Sequence, residues 1–372
     1  MIDLLVLIML CTMFAYVVQS RTCYYSSARD GIKQDMQSRI IYWGIFIAFM
    51  LFAGLRSTFN DTQAYIQGFS LIDANDLSFS NLLEPYGGFD VYQKLIKIYI
   101  SNDSQMFIFI TAVIINMLYF GFYTRHTDKF GEMIFLYAIS EYTFCMAGLK
   151  QALAVGISLY AIEEYLNKKY IRAIFLLLFA MTFHPYIICL LCIPLLKERI
   201  WDMRTIVVIA ICILAFANME RVFELFSVIG KDYSTQLSDN TVNPIRVLVE
   251  SVPIVLSFIY RKKLNESGNK VLILGINMQI ISFVFIAMGL FLDPIYFGRM
   301  SVYFTVLSVV AIPEMLSLAW KENKNKKVYI LGYYFFFFVY FLMDMTKIGS
   351  ISIFFDRFNH VQLRDLFVRK GV

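Results

Sequence analysis

Charged residues are scarce in this sequence, since Asp, Glu, Lys and Arg together make up only 16% of its 372 residues. Soluble domains carry about 25% charged residues. Prolines number seven and glycines 18, and the chain has no low-complexity tract and no internal repeat. The shortage of charge excludes an ordinary soluble domain and a nucleic-acid-binding protein, and the other absences exclude a disordered or collagen-like chain.

Cysteine and histidine are rare as well, with six and three residues. Cys189 and Cys192 form a C-x-x-C inside an apolar run, where small buried side chains explain them better than a metal or redox pair. The chain also lacks HExxH, P-loop, GxSxG and Asp-x-Asp motifs. These absences give no support to zinc, ATP or serine-hydrolase chemistry, and we predict neither a metal nor a cofactor.

What the chain has instead is apolar sequence: 59% of its residues are hydrophobic, and they come in long runs. A bilayer core of about 30 Å needs about 20 apolar residues per helix. We predict an all-α polytopic membrane protein, a single integral-membrane domain over 1–372, with about 12 transmembrane helices. The predicted spans are 2–19, 40–55, 105–123, 132–148, 152–166, 171–183, 186–196, 205–217, 247–260, 271–291, 301–320 and 328–343.

The distribution of Lys and Arg orients these spans. With the N-terminus outside, the six inner segments hold 20 of the 33 cations in 59 residues, and the outer segments hold 13 in 121 residues. Cytoplasmic loops of membrane proteins are enriched in Lys and Arg in this way. The net charge of +5 therefore reads as an orientation.

Segment 171–196 allows two interpretations. Its 26 residues are long for one span and short for two, and basic clusters flank both ends. A hairpin with His184 and Pro185 at its tip keeps both clusters in the cytoplasm, whereas one tilted helix reverses the sidedness of everything that follows. Two outer segments, 56–104 and 218–246, contain amphipathic stretches that we expect to form part of a site.

The first candidate group follows the second span. Arg56 can bind phosphate oxygens, Asp61 can orient it or accept a proton, and Thr62 and Tyr65 lie on the next turn. An interfacial Arg that reaches towards headgroups, with Asn60 or Asp61 as a helix N-cap, explains the same residues.

Two further groups lie in outer segments. Gly87 and Gly88 allow the backbone to approach a ligand closely, with Asp90 just beyond them, although a plain turn fits equally well. Lys150 and Gln151 begin the fifth span, where the cation can hold lipid phosphate or simply extend towards the interface.

His184 is the histidine predicted to lie at membrane depth, where an imidazole suits proton transfer, although a single buried His is usually structural. Arg299 enters the eleventh span from outside. Glu141 and Glu250 are intramembrane carboxylates that could serve as counter-ions for these cations.

Taken together, these motifs resemble the EpsG family of bacterial membrane proteins, which is grouped with Wzy-type polysaccharide polymerases. The resemblance runs from about residue 40 to 315. It rests on GLR…NDT..Y at 54–65, Gly-Gly-Phe near 88, KQ.LA at 150–154, KKY…A..FHPY at 168–186 and YFGR...YF...S..AIP at 296–313. The family commonly has Arg-Gln where this chain has Lys150-Gln151, and often has Ser two residues after the His, where this chain has Tyr186.

The resemblance implies a fold related to C-type glycosyltransferases. It also implies a glycosyltransferase that polymerises repeat units of O-antigen, capsule or exopolysaccharide. Its substrate would be an oligosaccharide on undecaprenyl pyrophosphate, at the outer face of the bacterial inner membrane. A flippase and a chain-length regulator are the expected partners besides membrane lipid.

For that reaction we expect His184, or else Asp61, to act as the base. Arg56, Lys150 and Arg299 would stabilise the pyrophosphate, and Thr62, Tyr65, Gly87, Gly88, Asp90 and Gln151 would bind substrate. A lipid-linked oligosaccharide flippase or another transporter, an O-antigen ligase and a membrane O-acyltransferase are the alternatives.

Overall fold

The computed structural model describes residues 2–25, 36–73, 82, 84–218, 242–291, 294–345 and 352–353. Apart from one short pair of strands, the regular elements of these residues are helices. The all-α prediction is therefore confirmed. The described residues form two compact units, one within Met1–Ala161, Ile174–His184 and Met343–Val372, the other within Ile162–Ala173 and Pro185–Leu342.

The first unit begins with the long helices α1 and α2, and its long helix α5 is more buried than either of them. The side chain of Asp103 starts α5 by accepting a hydrogen bond of 2.7 Å from the backbone N–H of Gln105. The elements through α9 are α1 (Ile2–Tyr25), α2 (Met36–Gly54), β1 (Arg56–Thr58), α3 (Thr62–Ser70), α4 (Gly87–Tyr99), α5 (Ser104–His126), α6 (Phe130–Leu136), a π-helical turn (Tyr137–Glu141), α7 (Tyr142–Ala147), α8 (Leu149–Leu166) and α9 (Tyr170–Phe183).

The second unit is built around one buried helix, α14. Asn269 caps it by accepting hydrogen bonds of 3.1 Å from the N–H groups of Val271 and Leu272. The remaining elements are a 3-10 helix (Pro185–Cys192), α10 (Ile193–Leu196), α11 (Met203–Ala217), α12 (Pro244–Ile259), α13 (Arg261–Glu266), α14 (Lys270–Met288), α15 (Pro294–Thr305), α16 (Ser308–Ala319) and α17 (Lys326–Met345). Strand β2 (Ser352–Ile353) pairs antiparallel with β1 in the first unit.

The predicted count of about twelve spans is not confirmed. Among the described residues, five helices are long and apolar enough to cross a membrane, namely α1 up to Arg21, α2, α5, α14 and α17. A sixth is added if α15 and α16, which meet at a bend of 60°, count as one broken span. The other predicted spans correspond to shorter helices, to helices with more charge, or to helices interrupted by a π or 3-10 turn.

The α-helix in segment 171–196 breaks next to Pro185, as the sequence predicts. Helix α9 ends at Phe183 and a 3-10 helix begins at Pro185. At about 1.5 Å per residue, the 14 residues of α9 rise about 21 Å, which is less than a hydrocarbon core of roughly 30 Å. Lys197 Nζ lies 5.1 Å from the centre of the Tyr165 ring, so the two ends of the segment meet. A hairpin satisfies this contact and one straight helix does not.

Other contacts join segments that the charge count places on one side. Gln19, at the inner end of the first predicted span, accepts a hydrogen bond from the N–H of Gly131 in a predicted inner segment. Lys263 pairs with Glu322 at 3.3 Å, and both belong to predicted inner segments. Strand β2 lies against β1, and both belong to predicted outer segments. Which side is cytoplasmic stays a prediction. The outer loop 218–246 falls mostly outside the described residues.

Candidate active site

The start of helix α4 lies directly against the end of α9, which places it beside His184. Gly88 makes this approach possible, because a Cβ on this residue would meet Thr182 Oγ1 and come within 2.6 Å of Thr182 Cβ. Tyr86, the residue before the helix, adopts the left-handed conformation with φ of 68°. The glycine pair was expected to admit a ligand; in the structure the close neighbour of Gly88 is α9, and a ligand role for Gly87 and Gly88 stays a prediction.

His184 is buried, with 5% of its surface exposed, and its ring makes a T-shaped contact with the ring of Tyr86. The two ring centres are 5.4 Å apart, and the planes meet at 80°. An edge-to-face geometry of this kind is a favourable aromatic contact. The backbone N–H of His184 donates to the carbonyl of Ala180 at 3.1 Å, which completes the last turn of α9.

Lys150, at the start of α8, lies over the ring of Tyr86. Its Nζ is 4.9 Å from the centre of the Tyr86 ring and 5.1 Å from that of Phe89. Cations bind aromatic faces electrostatically. Tyr86 thus contacts both the predicted base and a predicted phosphate-binding cation, so that Lys150 and His184 share one neighbour.

One acidic residue, Asp90, lies near Lys150. The side chain of Asp90, on the first turn of α4, is exposed. Although the residue as a whole is exposed, partial burial of the carboxyl raises the pKa of Asp90, and the charges of Lys150 and Lys94 oppose that rise. Tyr65 completes the aromatic group, with its ring centre 6.0 Å from that of Phe89. We call Tyr65, Tyr86, Phe89, Asp90, Lys150 and His184 the α4 cluster.

Arg56 has a different environment. It is fully buried, and its guanidinium donates to Thr62 Oγ1 at 3.0 Å, to the carbonyl of Met146 at 2.8 Å and to the carbonyl of Ala53. These carbonyls belong to the last turns of α2 and α7, so Arg56 caps two helix C-termini. Burial lowers the pKa of Arg56 to about 10, which leaves the group charged at neutral pH. A phosphate-binding role for Arg56 stays a prediction.

The residues predicted alongside Arg56 are divided between interior and surface. Thr62 is buried and donates to the carbonyl of Phe59 at 2.7 Å. Asp61 is exposed and precedes α3, but its side chain makes no capping hydrogen bond. Gln151 is buried beside Lys150 at the start of α8. Their predicted roles as base and substrate ligands are not tested by these positions.

Arg299 lies on α15 in the second compact unit, with its side chain partly buried. Of the two carboxylates proposed as counter-ions, Glu141 is 2% exposed at the end of the π-helical turn. Glu250 accepts a hydrogen bond of 3.0 Å from Gln279 Nε2. Metal-binding groups of three or more His, Cys, Asp or Glu do not occur within the described residues.

The EpsG family matches residues 39–356, which is most of the chain. The chain belongs to the EpsG family. No curated protein and no solved structure gives a significant match.

The EpsG match confirms the resemblance inferred from short motifs, and four of those motifs meet in the α4 cluster. GLR…NDT..Y supplies Tyr65. Gly-Gly-Phe supplies Phe89, KQ.LA supplies Lys150, and FHPY supplies His184. Sequence reasoning did not single out Phe89 or Thr182. The signal for Phe89 was its position between the glycine pair and Asp90, whereas the contact of Thr182 with Gly88 depends on tertiary packing.

Proposed function

We propose that this EpsG protein is a polymerase of a surface polysaccharide. It would transfer a growing glycan from undecaprenyl pyrophosphate onto a lipid-linked repeat unit at the outer face of the membrane. The family suggests a role in polysaccharide polymerisation. The observation that carries the chemistry is that a buried imidazole and a cation meet on one tyrosine ring, that of Tyr86.

In this proposal His184 accepts the proton of the acceptor hydroxyl. The oxygen attacks the anomeric carbon of the donor sugar, and the bond from that carbon to the pyrophosphate oxygen breaks. The pyrophosphate remains on the lipid carrier. A general base in reach of the attacking hydroxyl contributes about 10²–10⁴-fold to rates of this kind.

The leaving pyrophosphate needs positive charge more than it needs a proton, and we assign that role first to Lys150. The N-terminus of α4 begins beside this cation at Gly87, and the positive end of a helix dipole also favours an anion. Arg299 and Arg56 remain candidates for the same role. Because the Arg56 donors are engaged with Thr62 and two carbonyls, we assign Arg56 to holding the frame.

Arg56 would help to position Lys150 through the backbone that precedes it. It binds the carbonyl of Met146, two residues before Gly148, where α7 ends and α8 begins with Leu149 and Lys150. Holding this junction fixes the position from which Lys150 reaches Tyr86 and Phe89. Asp90, on the neighbouring turn, would orient Lys150 or bind a sugar hydroxyl.

The test is a gene deletion followed by analysis of the lipid-linked glycans. Loss of a polymerase leaves single repeat units on the carrier at the outer leaflet, and the wild-type gene restores long chains. Repeat units that stay at the inner leaflet would indicate a flippase instead. Long chains that form on the carrier but never reach their final acceptor would indicate a ligase.

A further inference from the structure

The second compact unit contains a charged cavity that the proposed reaction does not use. Its volume is about 380 Å³, and it lies between the loop that joins α10 to α11 and the short helix α13. The charged residues that line it are Arg199, Arg261 and Lys262, with Asp202 and Glu266, and Trp201 lies beside them. The charge count places both segments on the cytoplasmic side.

Amide side chains hold both walls of the cavity in place. Asn265 accepts from the N–H of Ile200 at 2.7 Å and donates to the carbonyl of the same residue at 3.3 Å. Asn277 donates to the carbonyls of Leu196 and Arg199, at 2.6 and 2.8 Å. The loop is therefore fixed at both ends of its turn, and the cavity does not depend on a ligand to bring its walls together.

Trp201 occupies an unusual backbone conformation in this loop. Its φ is 61°, a value that costs a non-glycine residue about 1 kcal/mol or more and that clusters at ligand sites. Its indole N–H donates to Ser257 Oγ at 3.0 Å, and its ring meets Phe258 edge to face at 5.5 Å. Packing against α12 thus overrides the backbone preference and holds the indole at the cavity wall.

Apolar side chains adjoin the charged ones. Met203 and Ile206 on α11 are 68% and 46% exposed, and Phe258 and Ile259 on α12 are 50% and 62% exposed. In a membrane protein these side chains meet lipid, and tryptophan commonly marks the level of the headgroups. The cavity therefore lies where a charged surface gives way to an apolar one.

We propose that this cavity binds the headgroup of an anionic phospholipid, with the acyl chains along the exposed faces of α11 and α12. The lining holds three cations and two carboxylates, and one phosphodiester neutralises the single positive charge that remains. A lipid pyrophosphate would carry more negative charge than the lining balances. A free anion would leave the adjoining apolar faces unused. Basic pockets at this level are known to bind anionic headgroups.

The chain contains three tryptophans, which allows a direct test on the intact protein. Trp43→Phe and Trp320→Phe leave Trp201 as the only tryptophan. The protein is placed in phosphatidylcholine nanodiscs that contain a small fraction of bromine-labelled phosphatidylglycerol or bromine-labelled phosphatidylcholine. We expect the labelled phosphatidylglycerol to quench Trp201 fluorescence more strongly at equal mole fraction. Equal quenching by the two lipids would overturn the proposal.

The second arm removes the cations. In the same background, Arg199→Gln with Lys262→Gln should abolish the preference, with about fivefold lower affinity for each cation removed. The matched control is Lys321→Gln with Lys324→Gln, which removes two exposed cations of the same unit outside the cavity. Loss of the preference in the control as well would indicate general surface charge and overturn the site.

The third arm separates the two sources of phosphate. Inorganic phosphate at millimolar concentration should leave the preference for phosphatidylglycerol unchanged, because it cannot use the apolar faces. Loss of the preference under phosphate would assign the cavity to a free anion. None of these measurements depends on glycan synthesis, so they stand or fall separately from the polymerase proposal.

Discussion

Arg56 and Lys150 are both cations that follow or begin a predicted span, and the sequence offers the same two interpretations for each. In the structure, Arg56 is fully buried with its guanidinium directed to one hydroxyl and two helix-end carbonyls. Lys150 is partly buried and lies over the rings of Tyr86 and Phe89, and Tyr86 also contacts His184. One region supports the frame, and the other holds a cation and an imidazole on the same tyrosine.

The difference follows from what surrounds each cation. A planar guanidinium with five donors suits several fixed acceptors at once, whereas an ammonium is a point charge that aromatic faces can hold without satisfying it fully. Lys97 shows that a lysine can also cap a helix, since its Nζ donates to the carbonyls of Phe69, Ser70 and Ile72 at 2.7–2.9 Å. The neighbours, and not the residue type alone, set the role.

The largest effect is expected at His184, the proposed base, which belongs to the same cluster as Lys150. His184→Ala should slow polymer formation by about 10³-fold, because the acceptor hydroxyl loses its base. The measurement is chain growth from a purified lipid-linked repeat unit. His126→Ala is the matched control, since this histidine packs against Phe122 at the end of α5, and the variant should leave the rate unchanged. Normal polymer from His184→Ala at wild-type abundance would refute the assignment.

The next effect concerns the stability of the frame. Arg56→Ala leaves the buried carbonyls of Ala53 and Met146 without a donor, and should lower the free energy of unfolding by about 3 kcal/mol. Thermal unfolding in detergent measures this change. Arg39→Ala removes an exposed cation from the same helix, α2, and should change stability by less than about 0.5 kcal/mol. Full stability with lost activity would move Arg56 to the substrate side.

Lys150→Ala should show the opposite pattern to Arg56→Ala. We expect the rate of polymer formation to fall by about 100-fold, because the developing charge on the pyrophosphate loses its cation, with little change in the unfolding temperature. Lys150→Arg should retain much of the activity, since it keeps the charge. A loss of stability as large as that of Arg56→Ala would remove the contrast between the two regions.

The smallest effect should come from the packing that brings α4 to α9. In Gly88→Ala the new methyl group meets Thr182, and we expect a loss of about 1–2 kcal/mol in the free energy of unfolding. Gly68→Ala is the control, because no atom of the described residues outside its own helical turn lies within 4 Å of the position of its Cβ. Equal stability of the two variants would show that α4 shifts without cost, and the approach of Tyr86 to His184 would then not depend on Gly88.

Several features of the fold followed from the sequence because they are local. The break at His184 and Pro185 follows from the chemistry of proline, and the helical fold class follows from apolar runs in a medium that offers backbone groups no water. The membership of the EpsG family followed from motif order. The predicted number of spans is not confirmed, because hydropathy does not register the π turn before Tyr142, the 3-10 helix that begins at Pro185 or the bend between α15 and α16.

For the site, the sequence named candidate residues, and their roles stay predictions. It singled out Lys150, His184, Asp90 and Tyr65, which the structure gathers around Tyr86 and Phe89 in one compact unit. It gave the same weight to Arg56, whose guanidinium donates to the carbonyls of Ala53 and Met146. Ala53 is three residues from Arg56 along the chain, and Met146 is 90 residues away. A contact across such a distance leaves no mark on local sequence.

The scarcity of charge determined by itself that this is a membrane protein, because few charges and long apolar runs meet the requirements of a bilayer. The distribution of Lys and Arg likewise predicts the orientation of the spans in the membrane. Only the tertiary structure decided which of the few remaining charges are satisfied in the interior and which lie beside aromatic rings or line a cavity. The physical reason is that hydrophobicity is a property of each segment, whereas the role of a cation depends on acceptors contributed by distant parts of the chain.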